Sequence, residues 1–168
     1  MSETDASLRN GTPTDLSNEA SERMTEADEK HTQRLKEIVA QIGWPTRSKV
    51  GKEAAHAAWL LAQHATDKRF MEACLELMKH VLQSDVDKTN IAYLEDRVRV
   101  LQGRRQLYGT QYQTFSPSNG ITHARIPPIE EPESLEERRM SVGLQPFSEF
   151  LCEIQKIFGD NLRLPTLQ

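Results

Sequence analysis

The stretch AAHAAWLLAQHA (54–65) carries two histidines and a glutamine on an otherwise apolar background. His56 and Gln63, seven residues apart, fall within about 20° of each other on a helix, and His64 lies about 80° from His56 with Leu60 between them. A helix this apolar must bury one of these polar faces, and buried polar groups need partners. His64 therefore reads either as an acid, base or ligand in the wall of a polar pocket, or as a hydrogen-bonded core histidine. A second group is Glu95, Asp96, Arg97 and Arg99. Glu95 and Arg99 suit a solvated helix face. Asp96 and Arg97 point to opposite sides of Leu94, so at least one of them should meet a neighbouring element. The third is Gln106-Leu107-Tyr108-Gly109-Thr110-Gln111, where Gly109 allows a bend and the polar side chains offer neutral donors and acceptors. Such a segment can line a ligand site, or it can tie a strand tip to helices. Arg138 and Arg139 add a guanidinium fork for a carboxylate or an anionic ligand, or else a basic face offsetting Glu136 and Glu137.

The sequence also carries the elements that must position these groups. From Thr25, with Asp28 completing a loose capping pattern, an apolar stripe of Leu35, Ile38, Val39 and Ile42 predicts a helix ended by Gly43 and Pro45. The apolar helix holding His64 starts near Ser48, and Trp59 at its middle is expected to be deeply buried. A third helix carries Phe70, Cys74, Leu77, Met78 and Val81 inward. A fourth, after Asp87–Thr89, carries Ile91, Leu94, Val98 and Leu101 and ends at Gly103. Aromatic and Thr residues at strand spacing around the turn cluster SPSNG predict a β-hairpin within Leu107–Ile126. Pro132 suits the first turn of a helix ending at Gly143. Pro146 opens the last one, with Phe147, Phe150, Leu151, Ile154 and Phe158 on one face. The expected fold is mainly α (α+β), a compact bundle of about six helices with one small hairpin. It is read as a disordered tail at 1–24, one helical domain at 25–160 and a loose C-terminal tail at 161–168.

Composition narrows the function classes. The 168-residue chain is 37% apolar, with the deficit concentrated in residues 1–24, and a formal charge of −4 argues against a nucleic-acid partner. No apolar run is long enough to span a membrane, and MSETDASLRN has no signal-peptide character, so a cytoplasmic location is expected. Cys74 and Cys152 fall in apolar helical patterns and read as reduced core residues, and no Cys/His spacing suggests zinc. The phosphate-loop, dinucleotide, zinc-protease, nucleophile-elbow and EF-hand patterns are absent, and no cofactor is implied.

Several segments together resemble a family of bacterial proteins of unknown function: GWPT (43–46), Val50-Gly51, QHA (63–65), AYLEDRV (92–98), Gly103, QLYGTQ (106–111) and IPPIEEPESLEERRMSVGLQPFSEF (126–150). The resemblance covers roughly residues 26–155 and supplies no activity. It places His64, Asp96, Arg97, Gln106, Tyr108, Gly109, Gln111 and Arg139 at motif positions, and His56 and His80 outside them. Because these shared positions are mostly polar, the resemblance favours a polar site around His64.

Two functions follow as expectations. In the first, a small enzyme or binder takes a small polar or anionic molecule. His64 and Asp96 would then perform non-covalent acid–base chemistry, with Arg97, Gln106, Tyr108, Gln111 and Arg139 holding the substrate. In the second, the chain is a non-catalytic interaction or regulatory protein, and the same residues form a buried network that fixes the hairpin on the helices. Convergence on an open cavity would favour the first, and close packing the second.

Overall fold

A computed structural model describes residues 18–115 and 122–163. Among the described residues there are seven α-helices and a small sheet, so the chain is mainly helical as expected. The helices are α1 (Asn18–Ile42), α2 (Arg47–Val50), α3 (Lys52–Gln63), α4 (Lys68–His80), α5 (Lys88–Leu101), α6 (Leu135–Val142) and α7 (Phe147–Phe158). The chain divides into two compact units, residues 1–90 and 91–168.

In the first unit, α1 starts at Asn18, seven residues before the expected Thr25. The segment NEASERM contains no Gly or Pro, so nothing in it stops the helix from extending backward. Of the tail expected at 1–24, residues 1–17 lie outside the described residues. Gly43 ends α1 with φ of +68°, and its N–H donates to Val39 O at 2.9 Å. Gly51, at φ +82°, divides the expected second helix into the single turn α2 and the longer α3. Asp67 caps α4, accepting from the N–H groups of Arg69 (3.0 Å) and Phe70 (3.1 Å), and pairs with Lys36 at 2.7 Å. The hydrogen bond from Lys36 is the main reason its carboxyl is held below the usual range.

The buried residues of this unit include Leu35, Trp44, Ala62, Cys74, Leu75 and Met78. Burial pushes the Cys74 thiol up to about 12, so it stays protonated. Helix α3 buries only Ala58, Leu61, Ala62 and Gln63, and Trp59 is half-buried rather than central. Trp44 is the deeper indole, at 3% exposure. Trp44→Ala should therefore cost about 3–5 kcal/mol, and Trp59→Ala roughly 1–3 kcal/mol. Urea denaturation of the two variants checks the order.

The second unit contains the expected hairpin, β1 (Gln113–Phe115) paired antiparallel with β2 (His123–Arg125); its turn, 116–121, lies outside the described residues. The C-terminal segment does not begin as a loose tail. Leu162–Arg163 forms β3, parallel to β2, giving the sheet order β1-β2-β3. Residues 164–168 lie outside the described residues. A core of Ala124, Ile126, Ile129, Leu135 and the α7 residues Phe147, Phe150, Ile154 and Phe158 joins sheet and helices, with Leu151 and Leu162 packed on it. The apolar face expected for α7 is thus the face that is buried. Cys152, on the same helix, is exposed, contrary to its reading as a core residue, because it falls outside that face.

Candidate functional site

Asp96 is fully buried on α5, at 0% exposure, and the loop 106–111 is wrapped around its carboxylate. Oδ1 accepts from the N–H of Leu107 at 2.6 Å and of Tyr108 at 3.1 Å. Oδ2 accepts from the Thr110 N–H at 2.9 Å and the Thr110 hydroxyl at 3.0 Å. A helix-borne carboxylate thus satisfies three loop amides, those of Leu107, Tyr108 and Thr110, that no strand ladder takes up. Burial pushes the Asp96 carboxyl up, while the Thr110, Tyr108 and Leu107 donors pull it part of the way back.

Gln106, also at 0% exposure, does the same work with an amide. Its Oε1 accepts from Gln111 N–H at 2.7 Å, and its Nε2 donates to Gln111 O and Pro127 O, each at 3.1 Å. Its backbone bridges to the neighbouring strand-like segment, with Gln106 N–H to Pro128 O at 2.9 Å and Glu130 N–H to Gln106 O at 2.8 Å. Gln111 closes the circuit by donating to Tyr93 O at 3.1 Å on α5. Gly109 stands at φ +63°. A Cβ there would come within 2.9 Å of both Ile129 Cδ1 and Phe147 Cε2. Gly109→Ala combines left-handed backbone strain with overpacking and should cost about 2–4 kcal/mol, read from the shift in urea midpoint.

The two arginines of α6 hold the loop from the other side. Arg139, at 1% exposure, donates from Nε to Gln145 O at 2.7 Å and from Nη1 to Tyr108 O at 2.5 Å. Its guanidinium lies 5.5 Å from the ring centroids of both Phe147 and Phe150. Arg138 donates from Nε to Leu107 O at 2.7 Å and from Nη2 to the carbonyls of Glu130 and Glu131. None of these contacts is to a carboxylate; both side chains reach main-chain carbonyls.

Of the candidates read from the sequence, Asp96, Gln106, Tyr108, Gln111 and Arg139 are thus joined in one network of the second unit. Arg97 follows Asp96 on α5 and is half-buried. His64 belongs to the first unit, where it is the half-buried C-cap of α3, its N–H donating to Leu60 O at 3.1 Å. Gln63 is buried at 5% exposure while His56 is exposed, although the two share a helix face. Their two-turn separation along the axis puts them in different surroundings. Arg99 was expected on a solvated face but is 6% exposed. It donates to Arg105 O at 2.6 Å and pairs with Glu130. Arg99 is the network member that residue spacing assigns to solvent, and Thr110, named among the polar side chains of 106–111, is left out of the candidate site residues. The polar content of 106–111 was the available signal for Thr110, and no local signal marked Arg99. Among the described residues no group of three or more His, Cys, Asp and Glu side chains is placed to hold a metal ion, and no helix is long and apolar enough to cross a membrane.

The family model described as a family of unknown function (DUF6624) matches residues 1–163. The chain belongs to this family. No curated protein and no solved structure matches it. Membership in DUF6624 carries no assigned activity.

Proposed function

We propose that this DUF6624 protein works by binding rather than by turnover, as a non-catalytic interaction or regulatory protein, and that its polar motif is an internal clamp. The observation that carries this reading is the state of Asp96. It is 0% exposed, and both of its oxygens are engaged by main-chain and hydroxyl donors of the loop it holds. A general acid or base must reach a substrate proton directly or through one water. The groups that would hold the substrate are occupied in the same way. Gln106 and Arg139 are buried, with their donors directed to carbonyls of the chain. A protein partner or a small polar molecule would then be met by other surfaces.

The test is a metabolite screen followed on the amide resonances of residues 106–111, in wild type and Asp96→Asn. The reading predicts no ligand that perturbs these amides directly, and a lower melting temperature for the variant. A metabolite that saturably shifts them, with binding abolished in Asp96→Asn at unchanged melting temperature, would overturn it.

A further inference from the structure

The first unit contains a cleft that none of the clamp residues enters. One wall is a single face of α3, where Lys52, Ala55, His56 and Trp59 recur at helical spacing. The rest of the lining comes from Asp85, Val86, Asp87 and Asn90, with Trp44, Arg47 and Met78. Its volume is about 70 Å³. That is room for one small polyatomic group and well below the several hundred Å³ of a pocket that encloses a whole metabolite.

The two carboxylates of the cleft already have partners. Asp85 accepts from Ser48 N–H at 2.7 Å and from the Ser48 hydroxyl at 2.6 Å; that hydroxyl bond is the main reason its carboxyl lies below the usual range. Asp87 accepts from the Thr89 N–H at 3.0 Å and hydroxyl at 2.7 Å, and pairs with Arg47 at 2.8 Å. Burial pushes the Asp87 carboxyl up, but these partners outweigh it and leave it below the usual range. By contrast, the side chains of Lys52, His56 and Asn90 have no hydrogen-bond or ion-pair partner among the described residues. The His56 ring instead lies 5.1 Å from that of Trp59. The ammonium of Lys52 has only donors, Asn90 offers an NH₂ and His56 an N–H, so the polar capacity left in the cleft is weighted to donors.

We propose that this cleft binds a small oxyanion, a carboxylate or phosphate group, on Lys52, His56 and Asn90. Arg47 and Lys52 against Asp85 and Asp87 sum to no net formal charge. No long-range field therefore gathers anions here, and recognition rests on short-range, charge-assisted hydrogen bonds. The ligand presents its oxyanion inward, and the rest of it extends over the exposed face of α3. The site uses no residue of the Asp96 network and stands whether or not that network is purely structural.

The two tryptophans of the chain, Trp44 and Trp59, both line this cleft, so selectively excited tryptophan fluorescence reports on it. The full chain is titrated with sodium phosphate and, separately, with sodium acetate, at ionic strength held constant with sodium chloride. Saturable change with at least one of them is expected. Phosphate alone identifies a phosphate site, acetate alone a carboxylate site, and both a general oxyanion site. Lys52→Ala, an exposed position, should keep the melting temperature and weaken binding by about tenfold or more, the effect of losing one hydrogen bond to a charged group. Asn90→Ala should weaken it to a smaller extent. No saturable change beyond the chloride control, or wild-type affinity in both variants, would overturn the proposal.

Discussion

Asp96→Ala should destabilise the second unit by about 3–5 kcal/mol, the largest single-site loss in the clamp. The substitution removes the acceptor for the N–H groups of Leu107, Tyr108 and Thr110 and for the Thr110 hydroxyl. These donors sit beside a side chain at 0% exposure, so water does not readily replace it. Asp96→Asn separates charge from shape. Its amide oxygen can keep one side of the loop, while its NH₂ faces donors on the other, and a loss of roughly 1–3 kcal/mol is expected. The pH dependence has a definite sign. Burial raises the Asp96 carboxyl above its unfolded value, so the ionised form is the costlier one in the fold. The margin of wild type over Asp96→Asn is therefore greatest below the unfolded pKa, and narrows as pH rises through the raised folded value. Denaturation of the variants across an acidic pH series measures both quantities. A loss below about 1 kcal/mol for Asp96→Ala would place the residue among ordinary surface positions.

Arg139→Ala comes next, at about 3–4 kcal/mol, and here the conservative change is informative. The guanidinium spans two carbonyls, Tyr108 O and Gln145 O, while lying over the rings of Phe147 and Phe150. Burial lowers its pKa, yet a guanidinium keeps its charge at neutral pH. Lys at this position keeps the charge, loses the planar fork and can serve only one of the two carbonyls well. Arg139→Lys should thus lose roughly 2 kcal/mol, at least half of the alanine effect. If lysine is tolerated with no loss, the net charge rather than the geometry is what matters, and the clamp account of α6 fails.

Much of the fold was legible because apolar spacing and punctuation agree locally. Gly43 and Pro45 end α1, Asp67 begins α4, and the Phe147–Phe158 periodicity defines the buried face of α7. The departures have local causes as well. Thr25 and Asp28 resemble a helix start, but the run before them holds no Gly or Pro and continues the helix back to Asn18. Leu162 pairs with β2 because strand addition at a sheet edge depends on a partner that is distant in sequence. For the candidate site, spacing identified the polar residues but not where they point. Asp96 next to Arg97, or Arg138 next to Arg139, reads the same from sequence whether the partner is a substrate or a main-chain amide. The deciding fact is that Leu107, Tyr108 and Thr110 present their N–H groups to a helix about ten residues earlier, a tertiary relation with no signature in spacing. Arg99 shows the same limit: an arginine on a helix looks solvated until Arg105 and Glu130 fold back onto it.

The most direct measurement of the clamp is native-state amide hydrogen exchange at Leu107, Tyr108, Thr110 and Gln111. These residues belong to no helix or strand, and unclamped loop amides would exchange at nearly the unstructured rate. If their N–H groups are held by Asp96 and Gln106, they should exchange on the order of 10³-fold more slowly or beyond, together with the core amides of α7, and Asp96→Ala should release the first three selectively. Exchange of these amides at loop rates in the wild type would contradict the account, since a segment that opens freely is not clamped and remains available to a substrate.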